Sequence, residues 1–314
     1  MLQIHPDRPG FAQYDVDLVS AEIPCGAAWL ANCLLELDVS LWKPWAVDDS
    51  EHWQHLGGHE YRYALRDSPW SRVLPALTEN RMFRFRSAPS VRAHHFWPGV
   101  YPAPTRTILF VRDPRDALLS AWHRMRRLGG IASDVDLIAF IRSQYFHYPL
   151  SWSGYLLVFL RVWRAWLASR GGVVVRFEDY RRDPIGTLQA ALDYLDIMES
   201  PERIAQAVAA SSFERVQAAE SRLLADRVVD IPLLRGESPG EYARVFDSAM
   251  HAAIDPRYAD ICAWLDYAPP SACAATEVAA AHADVDDILH AVRIAGLQAG
   301  ADGWLACALR AALV

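Results

Sequence analysis

Short apolar runs alternate with amphipathic stretches along much of the chain. A strand pattern over residues 16–23 leads into a tight Pro24-Cys25-Gly26 turn, after which the pattern predicts a helix from about Ala27. Residues 107–111 are β-branched and apolar and predict a buried parallel strand, and the amphipathic stretch from Ala117 to Arg127 predicts the helix that follows. Asp113 is the predicted N-cap of this helix, and Pro114 suits its first turn. Two strand–loop–helix units in succession are typical of a parallel sheet.

A third unit continues this pattern. Apolar positions at helical spacing predict a long helix from Gly154 to Ala168, which ends at Gly171-Gly172. Residues 173–177 form the next predicted strand, Glu178-Asp179-Tyr180 a turn, and Pro184 to Leu195 another helix. Strands that alternate with helices predict an α/β fold whose parallel sheet is covered by helices on both faces.

Two segments lack this alternation. Residues 41–80 are rich in Trp, His, Pro and Gly with little periodicity, and predict loops and short helices of the kind that often cover a site. Residues 271–314 contain 15 alanines and predict a small helical appendage after the Pro269-Pro270 break. We therefore expect an α/β domain over residues 1–270 and an Ala-rich helical tail over residues 271–314, which could pair two subunits or dock a partner.

Composition excludes several classes of protein. The 31 basic and 38 acidic residues give a formal charge of −7, and the absence of a basic run argues against a nucleic-acid binder. The apolar runs are shorter than the roughly 18 residues of a membrane span, and the N-terminal segment lacks a secretory pattern, so we expect a cytoplasmic protein without a membrane partner. Five cysteines without zinc-type spacing predict no metal.

Two junctions between a strand and a helix are candidate anion sites, because ligands collect at the carboxyl ends of parallel strands. We call residues 24–29 the first junction and residues 112–120 the second junction. No GxxxxGK[ST] pattern occurs, which argues against an ordinary P-loop NTPase. In the second junction Arg112 and Ser120 could converge on one anion, or they could be a surface ion pair and a helix-solvating hydroxyl.

Four segments resemble the sulfotransferases that use 3′-phosphoadenosine 5′-phosphosulfate (PAPS). Ile108 to Ser120 resembles the 3′-phosphate-binding segment, and Val174 to Pro184 resembles the next strand and turn. Ser211 to Glu214 resembles the adenine-contacting segment, and Leu233 to Tyr242 the loop that closes over the nucleotide. The resemblance covers roughly residues 16–267 and implies a P-loop-like parallel β-sheet flanked by helices, with PAPS as donor and 3′-phosphoadenosine 5′-phosphate (PAP) as product.

The resemblance also implies roles for particular residues. Those assigned to the 3′-phosphate are Arg112, Ser120, Arg235 and the Gly236 amide. Trp29 and Phe213 would sandwich the adenine, and Phe177 stands where the family commonly has a tyrosine near the base. The alternative for the aromatic residues is core packing.

The family's general base is a histidine just after a strand. The corresponding residues here are Arg92, Ala93, His94 and His95, of which His94 is the first candidate and His95 its rival. An imidazole with an ordinary pKa near 6.5 suits proton abstraction near neutral pH. A structural histidine is the alternative.

The first junction departs from the family pattern. Where the family reads Pro-Lys-Ser-Gly-Thr-Thr-Trp, this chain reads Ile23, Pro24, Cys25, Gly26, Ala27, Ala28 and Trp29. Backbone amides there could still hold the 5′-phosphate, but the family lysine is replaced by Pro24, and Lys43 is the chain's one lysine. Arg92 is the first candidate for a replacement cation.

Three hypotheses follow from this departure. The first is a sulfotransferase that acts on a hydroxyl or amine of a small apolar or aromatic acceptor, such as a secondary metabolite. The others are a related fold recruited to another donor or reaction, and an inactive subunit that binds a nucleotide or a partner.

Overall fold

A computed structural model describes residues 14–42, 53–63, 74–78, 82–98, 104–146, 150–227, 231–232, 234–236 and 238–267. The central sheet contains five strands: β1 (Val16–Val19), β2 (Ser40–Trp42), β6 (Ser90–His94), β7 (Arg106–Val111) and β8 (Val173–Arg176). Their order is β2-β6-β1-β7-β8, and every neighbouring pair is parallel. The central strands are buried apolar runs, as a sheet covered on both faces requires.

Helices precede and follow these strands along the chain. They are α1 (Ala28–Glu36), α2 (Pro75–Thr78), α3 (Pro114–Arg127), α4 (Leu137–Arg142), α5 (Trp152–Arg170), α6 (Phe177–Arg182), α7 (Pro184–Tyr194), α8 (Pro201–Ala210), α9 (Phe213–Ala225), α10 (Tyr242–Val245) and α11 (Ser248–Trp264). The predicted parallel α/β fold is confirmed.

The start of α3 shows how the sequence sets a helix boundary. The Asp113 carboxylate accepts a hydrogen bond from the Arg115 N–H, and Pro114 occupies the first turn, where a missing N–H costs nothing. The long helix α5 begins in the same way at Ser151, whose hydroxyl accepts from the Gly154 N–H. It ends at Gly171, which has a φ of +80°.

Two local predictions are wrong. Part of the segment predicted as loops and short helices forms an antiparallel sheet of β3 (Trp53–Gly57), β4 (Glu60–Tyr63) and β5 (Met82–Arg84). Aromatic rings hold it together: Trp53 lies 4.9 Å from Tyr63 and 5.3 Å from Phe83, between ring centroids. Aromatic packing replaces the aliphatic alternation that would have signalled strands.

The second wrong prediction is the turn at residues 178–180, which belongs to α6. A fork between Arg176 and the Asp179 carboxylate spans its first turn, with donor–acceptor distances of 2.7 and 3.0 Å.

Some predictions fall outside the described residues. The Ala-rich tail, Lys43 and Leu233 all do, and the division at residue 270 stays a prediction. Within the described part of the chain, no helix has the length and apolar content needed to cross a bilayer.

Candidate active site

A cavity of about 520 Å³ lies at the carboxyl edge of the central sheet. It is bordered by the first junction, the second junction, α6, and the segment where α8 ends and α9 begins. Every site residue predicted from the sequence lines it except Arg92. These lining residues are Pro24, Cys25, Gly26, Ala27, Ala28, Trp29, His94, His95, Arg112, Ser120, Phe177, Phe213, Arg235 and Gly236.

The cavity wall is rich in arginine. Five arginines line it, against two acidic residues, Glu22 and Glu214. The arginines are Arg112, Arg124, Arg127, Arg181 and Arg235. A concentration of guanidinium groups in a partly enclosed space attracts and orients phosphate or sulfate groups.

Arg112 and Ser120 lie in the second junction as the sequence predicted. Arg112 is buried, and its guanidinium carbon lies 4.4 Å from the centroid of the Phe177 ring. This cation–π contact fixes the direction of the guanidinium. The neighbouring Arg115 forms a two-bond fork with Asp113, at 2.9 and 2.6 Å, and stands outside the cavity lining.

The loop that carries Arg235 and Gly236 is tied to α3 and α9. Asp116 accepts hydrogen bonds from the Gly240 N–H at 2.7 Å and the Tyr242 N–H at 2.9 Å. Burial raises the pKa of Asp116 above its usual value, although these two bonds oppose the shift.

Two further bonds hold the beginning of this loop. Arg127 donates to the Leu234 carbonyl at 2.7 Å, and the Leu234 N–H donates to the Glu220 carboxylate at 3.2 Å. Arg235 itself forms an ion pair with Glu241. The loop is therefore held in a position where Arg235 and Gly236 face the cavity.

Aromatic rings line another part of the wall. Trp29 stacks on Tyr180 with ring centroids 4.4 Å apart and planes 10° apart. Sequence reasoning missed Tyr180, although its position three residues after Phe177 places both on one side of α6. Phe213 lies beside Gly236, with ring carbons 3.7 Å from where a Cβ on that glycine would be.

The first junction presents methyl groups and backbone to the cavity. Ala27 precedes α1 without a side-chain hydrogen bond. The Cys25 thiol donates to the Ile23 carbonyl at 3.0 Å, and burial raises its pKa to about 12, so it stays protonated. Gly26 has a φ of +89°, and a Cβ there would lie 2.6 Å from a Phe177 ring carbon, so only glycine fits.

Arg92 does not line the cavity. Its guanidinium donates to both carboxylate oxygens of Asp17 on the neighbouring strand, at 2.6 and 2.9 Å. Burial opposes ionisation of Asp17, but hydrogen bonds from His94 and Arg92 outweigh it and hold the pKa of Asp17 below its usual value. The positive charge of Arg92 is thus matched by a buried carboxylate.

The two predicted histidines occupy different surroundings. His94 is buried, with its Nε2 3.3 Å from an Asp17 oxygen, and its Nδ1 accepts the Phe96 N–H at 3.2 Å. Burial lowers the pKa of His94, which keeps the ring neutral. His95 is half-buried, and its Nδ1 lies 2.9 Å from the Ser20 carbonyl oxygen and 3.1 Å from the Ser20 hydroxyl.

Comparison with solved structures shows the same fold. The chain is similar to mouse sulfotransferase SULT7A1 complexed with PAP, at 17% identity over 79% of this chain and 84% of that chain, with a TM-score of 0.51. It is similar to retinol dehydratase in a complex with retinol and PAP, at 16% identity over 79% of this chain and 81% of that chain, also with a TM-score of 0.51. A third similar structure is retinol dehydratase with androsterone and PAP, at 17% identity, 80% and 81% coverage and a TM-score of 0.51.

Sequence comparison gives the family. A search of curated proteins finds no significant match. The family model described as the sulfotransferase domain matches residues 50–261, which is more than half of the chain. The chain therefore belongs to the sulfotransferase domain family.

Proposed function

We propose that the protein transfers a sulfuryl group from PAPS to a hydroxyl or amine of a small acceptor and releases PAP. The observation that carries this proposal is the arginine-lined end of the cavity, where the second junction meets the loop bearing Arg235. Family membership supports sulfuryl transfer, and the PAP complexes among the similar structures support this donor.

The residues at the cavity fit the parts of the donor. Arg112, Ser120, Arg235 and the Gly236 amide would hold the 3′-phosphate, a dianion suited to two guanidinium groups. Phe213 and Trp29, the latter supported from behind by Tyr180, would hold the adenine between them. When bound, the donor supplies an activated sulfuryl group.

The first junction would hold the 5′-phosphosulfate through its backbone. The N–H groups at the start of α1 point along the helix axis, and the helix dipole favours an anion there. The methyl groups of Ala27 and Ala28 cannot cap this end, and the Trp29 N–H donates to the Gly26 carbonyl at 3.0 Å. His94 and His95, at the end of β6, line the cavity, and one of them would activate the acceptor.

An apolar or aromatic acceptor is supported by the surroundings of Glu22. This residue lines the cavity and accepts a hydrogen bond from the Tyr145 hydroxyl at 2.9 Å. Tyr145 stacks on Tyr155 at 4.0 Å between centroids, and Trp97 packs against the edge of the same cluster. These rings are buried behind Glu22 and do not belong to the cavity lining. The lining next to Glu22 is apolar, with Leu18, Ala21 and Ile23, and such a surface suits an apolar or aromatic acceptor.

A second candidate is a nucleotide-binding subunit without transferase activity. It is favoured by one observation: Pro24 stands in place of the family lysine, while Arg92 is paired with Asp17 outside the cavity lining. This candidate predicts PAP binding without turnover of PAPS.

The experiment is calorimetric binding of PAP and of AMP, which lacks the 3′-phosphate. Wild type is expected to bind PAP with micromolar affinity, and Arg112→Ala to lose about 100-fold, since a hydrogen bond to a charged group contributes up to about 3 kcal/mol. AMP binding should change little. Arg126→Ala is the matched control, because Arg126 lies on the same helix, is exposed and contacts Ser133 instead of the cavity.

The outcomes separate the hypotheses. Absence of PAP binding to the wild type overturns the donor assignment. Binding that Arg112→Ala leaves intact overturns the 3′-phosphate site. PAP release from PAPS then distinguishes a transferase from a binding subunit.

A further inference from the structure

His94 is the last residue of β6, and His95 follows it. The pairing of β6 with β1 determines which residues the two side chains can contact. His94 pairs with Val19 of β1, and the Ser20 N–H donates to the His94 carbonyl at 3.2 Å. Ser20 is thereby placed beside His95, whereas the side chain of His94 packs near Trp163 of α5, 6.1 Å away between ring centroids.

The two ring nitrogens of His94 have different surroundings. A backbone N–H can only donate, so the contact with Phe96 requires an unprotonated Nδ1. In a neutral ring the proton is then on Nε2, which faces the Asp17 carboxylate at 3.3 Å. To accept a substrate proton, this ring would have to give up the Phe96 bond, and its side chain is 2% exposed.

His95 has the opposite tautomer. Its Nδ1 lies 2.9 Å from the Ser20 carbonyl oxygen and 3.1 Å from the Ser20 hydroxyl. The carbonyl can only accept, whereas the hydroxyl can donate or accept, so we assign the proton to Nδ1. In the neutral ring Nε2 then carries the lone pair. His95 is half-buried and lines the cavity, so its ring is more accessible than the buried ring of His94.

We propose that His95, rather than His94, is the general base, an inference that rests on the sulfuryl transfer proposed above. Its Nε2 takes the proton of the acceptor hydroxyl as the acceptor oxygen bonds to the donor sulfur. The bond from sulfur to the bridging oxygen breaks, and its electron pair stays on the 5′-phosphate of the departing PAP. The Nδ1–H keeps its bond to Ser20, whose carbonyl stabilises the positive charge that develops on the ring.

Asp17, Arg92 and His94 then form a positioning network. Asp17 on β1 joins two residues of β6 across the register, so the ends of both strands are held together. Ser20 and His95 are the residues that follow these strand ends. Arg92 and His94, which the family pattern assigns to catalysis, thus position the neighbouring His95 in this chain.

The test measures PAP release from PAPS in water alone and with a panel of phenols and alcohols. We expect His95→Gln to lose about 100-fold or more in kcat, the usual contribution of a general base, and His94→Gln to lose less than tenfold. Added imidazole should restore turnover to His95→Ala and leave His94→Ala unchanged. PAP binding, measured by calorimetry, should be retained in the His95 variants.

A second measurement uses only the wild type and does not depend on turnover, so it gives a result even if a variant fails to fold. In ¹⁵N spectra of the wild type, neutral His95 should be protonated on Nδ1 and neutral His94 on Nε2. In a wild type that turns over PAPS, the inference is overturned by the reverse tautomers or by a larger loss of kcat in a folded His94→Gln. Absence of PAP binding, or PAP binding without release of PAP from PAPS, would instead overturn the proposed function.

Discussion

The first and second junctions both connect a strand of the central sheet to a helix, but they present different side chains to the cavity. Each follows a buried parallel strand and leads into a helix that borders the cavity. The strand before the first junction contains Asp17, which forms a buried fork with Arg92, and the second junction contains the buried fork of Arg115 with Asp113. The second junction adds an arginine that lines the cavity, Arg112, whereas the first adds methyl groups.

Under the proposed function, this difference separates two ways of binding an anion. The second junction would bind the 3′-phosphate through side chains, so that single substitutions should lower affinity directly. The first junction would bind the 5′-phosphosulfate through backbone N–H groups, so that substitutions should act through shape and added charge. The following predictions test this division.

The largest expected effect is on the fork between Arg92 and Asp17. Asp17→Ala would leave the Arg92 guanidinium buried without its carboxylate, which should lower the free energy of unfolding by about 3–5 kcal/mol. The matched control is Asp196→Asn, which removes the charge that pairs with Arg106 at an exposed site, keeps a residue that tolerates the φ of +56° there, and should cost less than about 1 kcal/mol. Urea unfolding measures both, and equal losses would contradict the prediction.

The next effect concerns the shape of the first junction. Gly26→Ala should lower stability by about 1–3 kcal/mol and weaken PAP binding, because the new Cβ meets Phe177 at a positive φ. Gly240→Ala is the control, since Gly240 has a φ of +79° but nothing within 4 Å of its Cβ position. Thermal unfolding and calorimetry of both isolate the clash from the backbone strain. A Gly26→Ala protein as stable as Gly240→Ala would count against a close fit with Phe177.

A smaller effect is expected from charge at the first junction. Ala27→Asp places a carboxylate at the start of α1, where a phosphate is proposed to bind, and should weaken PAP about tenfold by repulsion. Ala27→Asn has nearly the same shape without the charge and should stay close to wild type. Calorimetry at low and high salt compares them, and equal affinities would argue that no anion binds there.

The smallest effect is a pH dependence of stability. Because burial lowers the pKa of His94 below 6.5 in the folded protein, the unfolded chain binds this proton first as the pH falls. Stability should therefore decrease below pH 6.5, by less than about 1.4 kcal/mol per pH unit, until the folded pKa is passed. His94→Gln should remove this slope in urea unfolding between pH 5 and 7; an unchanged slope would assign it to other groups.

The sequence predicted the parts of the site that depend on local pattern. Asp113 and Pro114 mark the start of α3, and Arg112 and Ser120 lie in the cavity as their spacing suggested. The partner of Arg92 could not be predicted, because Asp17 meets it through a register between strands 75 residues apart.

The direction in which side chains point was the other feature that the sequence could not predict. Arg127 and Arg181 belong to the cavity because of how α3 and α6 are rotated, and nothing in their local sequence distinguishes them from solvent-facing arginines. The aromatic strands β3 to β5 were missed for a similar reason, since their packing depends on rings contributed from separate segments.

The strand order also has a consequence for synthesis of the protein on the ribosome. β1 emerges first but lies between β6 and β7, and Val16 pairs with Arg106, 90 residues later. At about 5–20 residues per second, β1 waits roughly 5–18 s for its second neighbour. The cavity lining runs from Leu18 to Gly236, so the cavity is complete only after Gly236 has been synthesised. Until β6 and β7 emerge, the edges of the apolar strand β1 are open to chaperones and to misassembly.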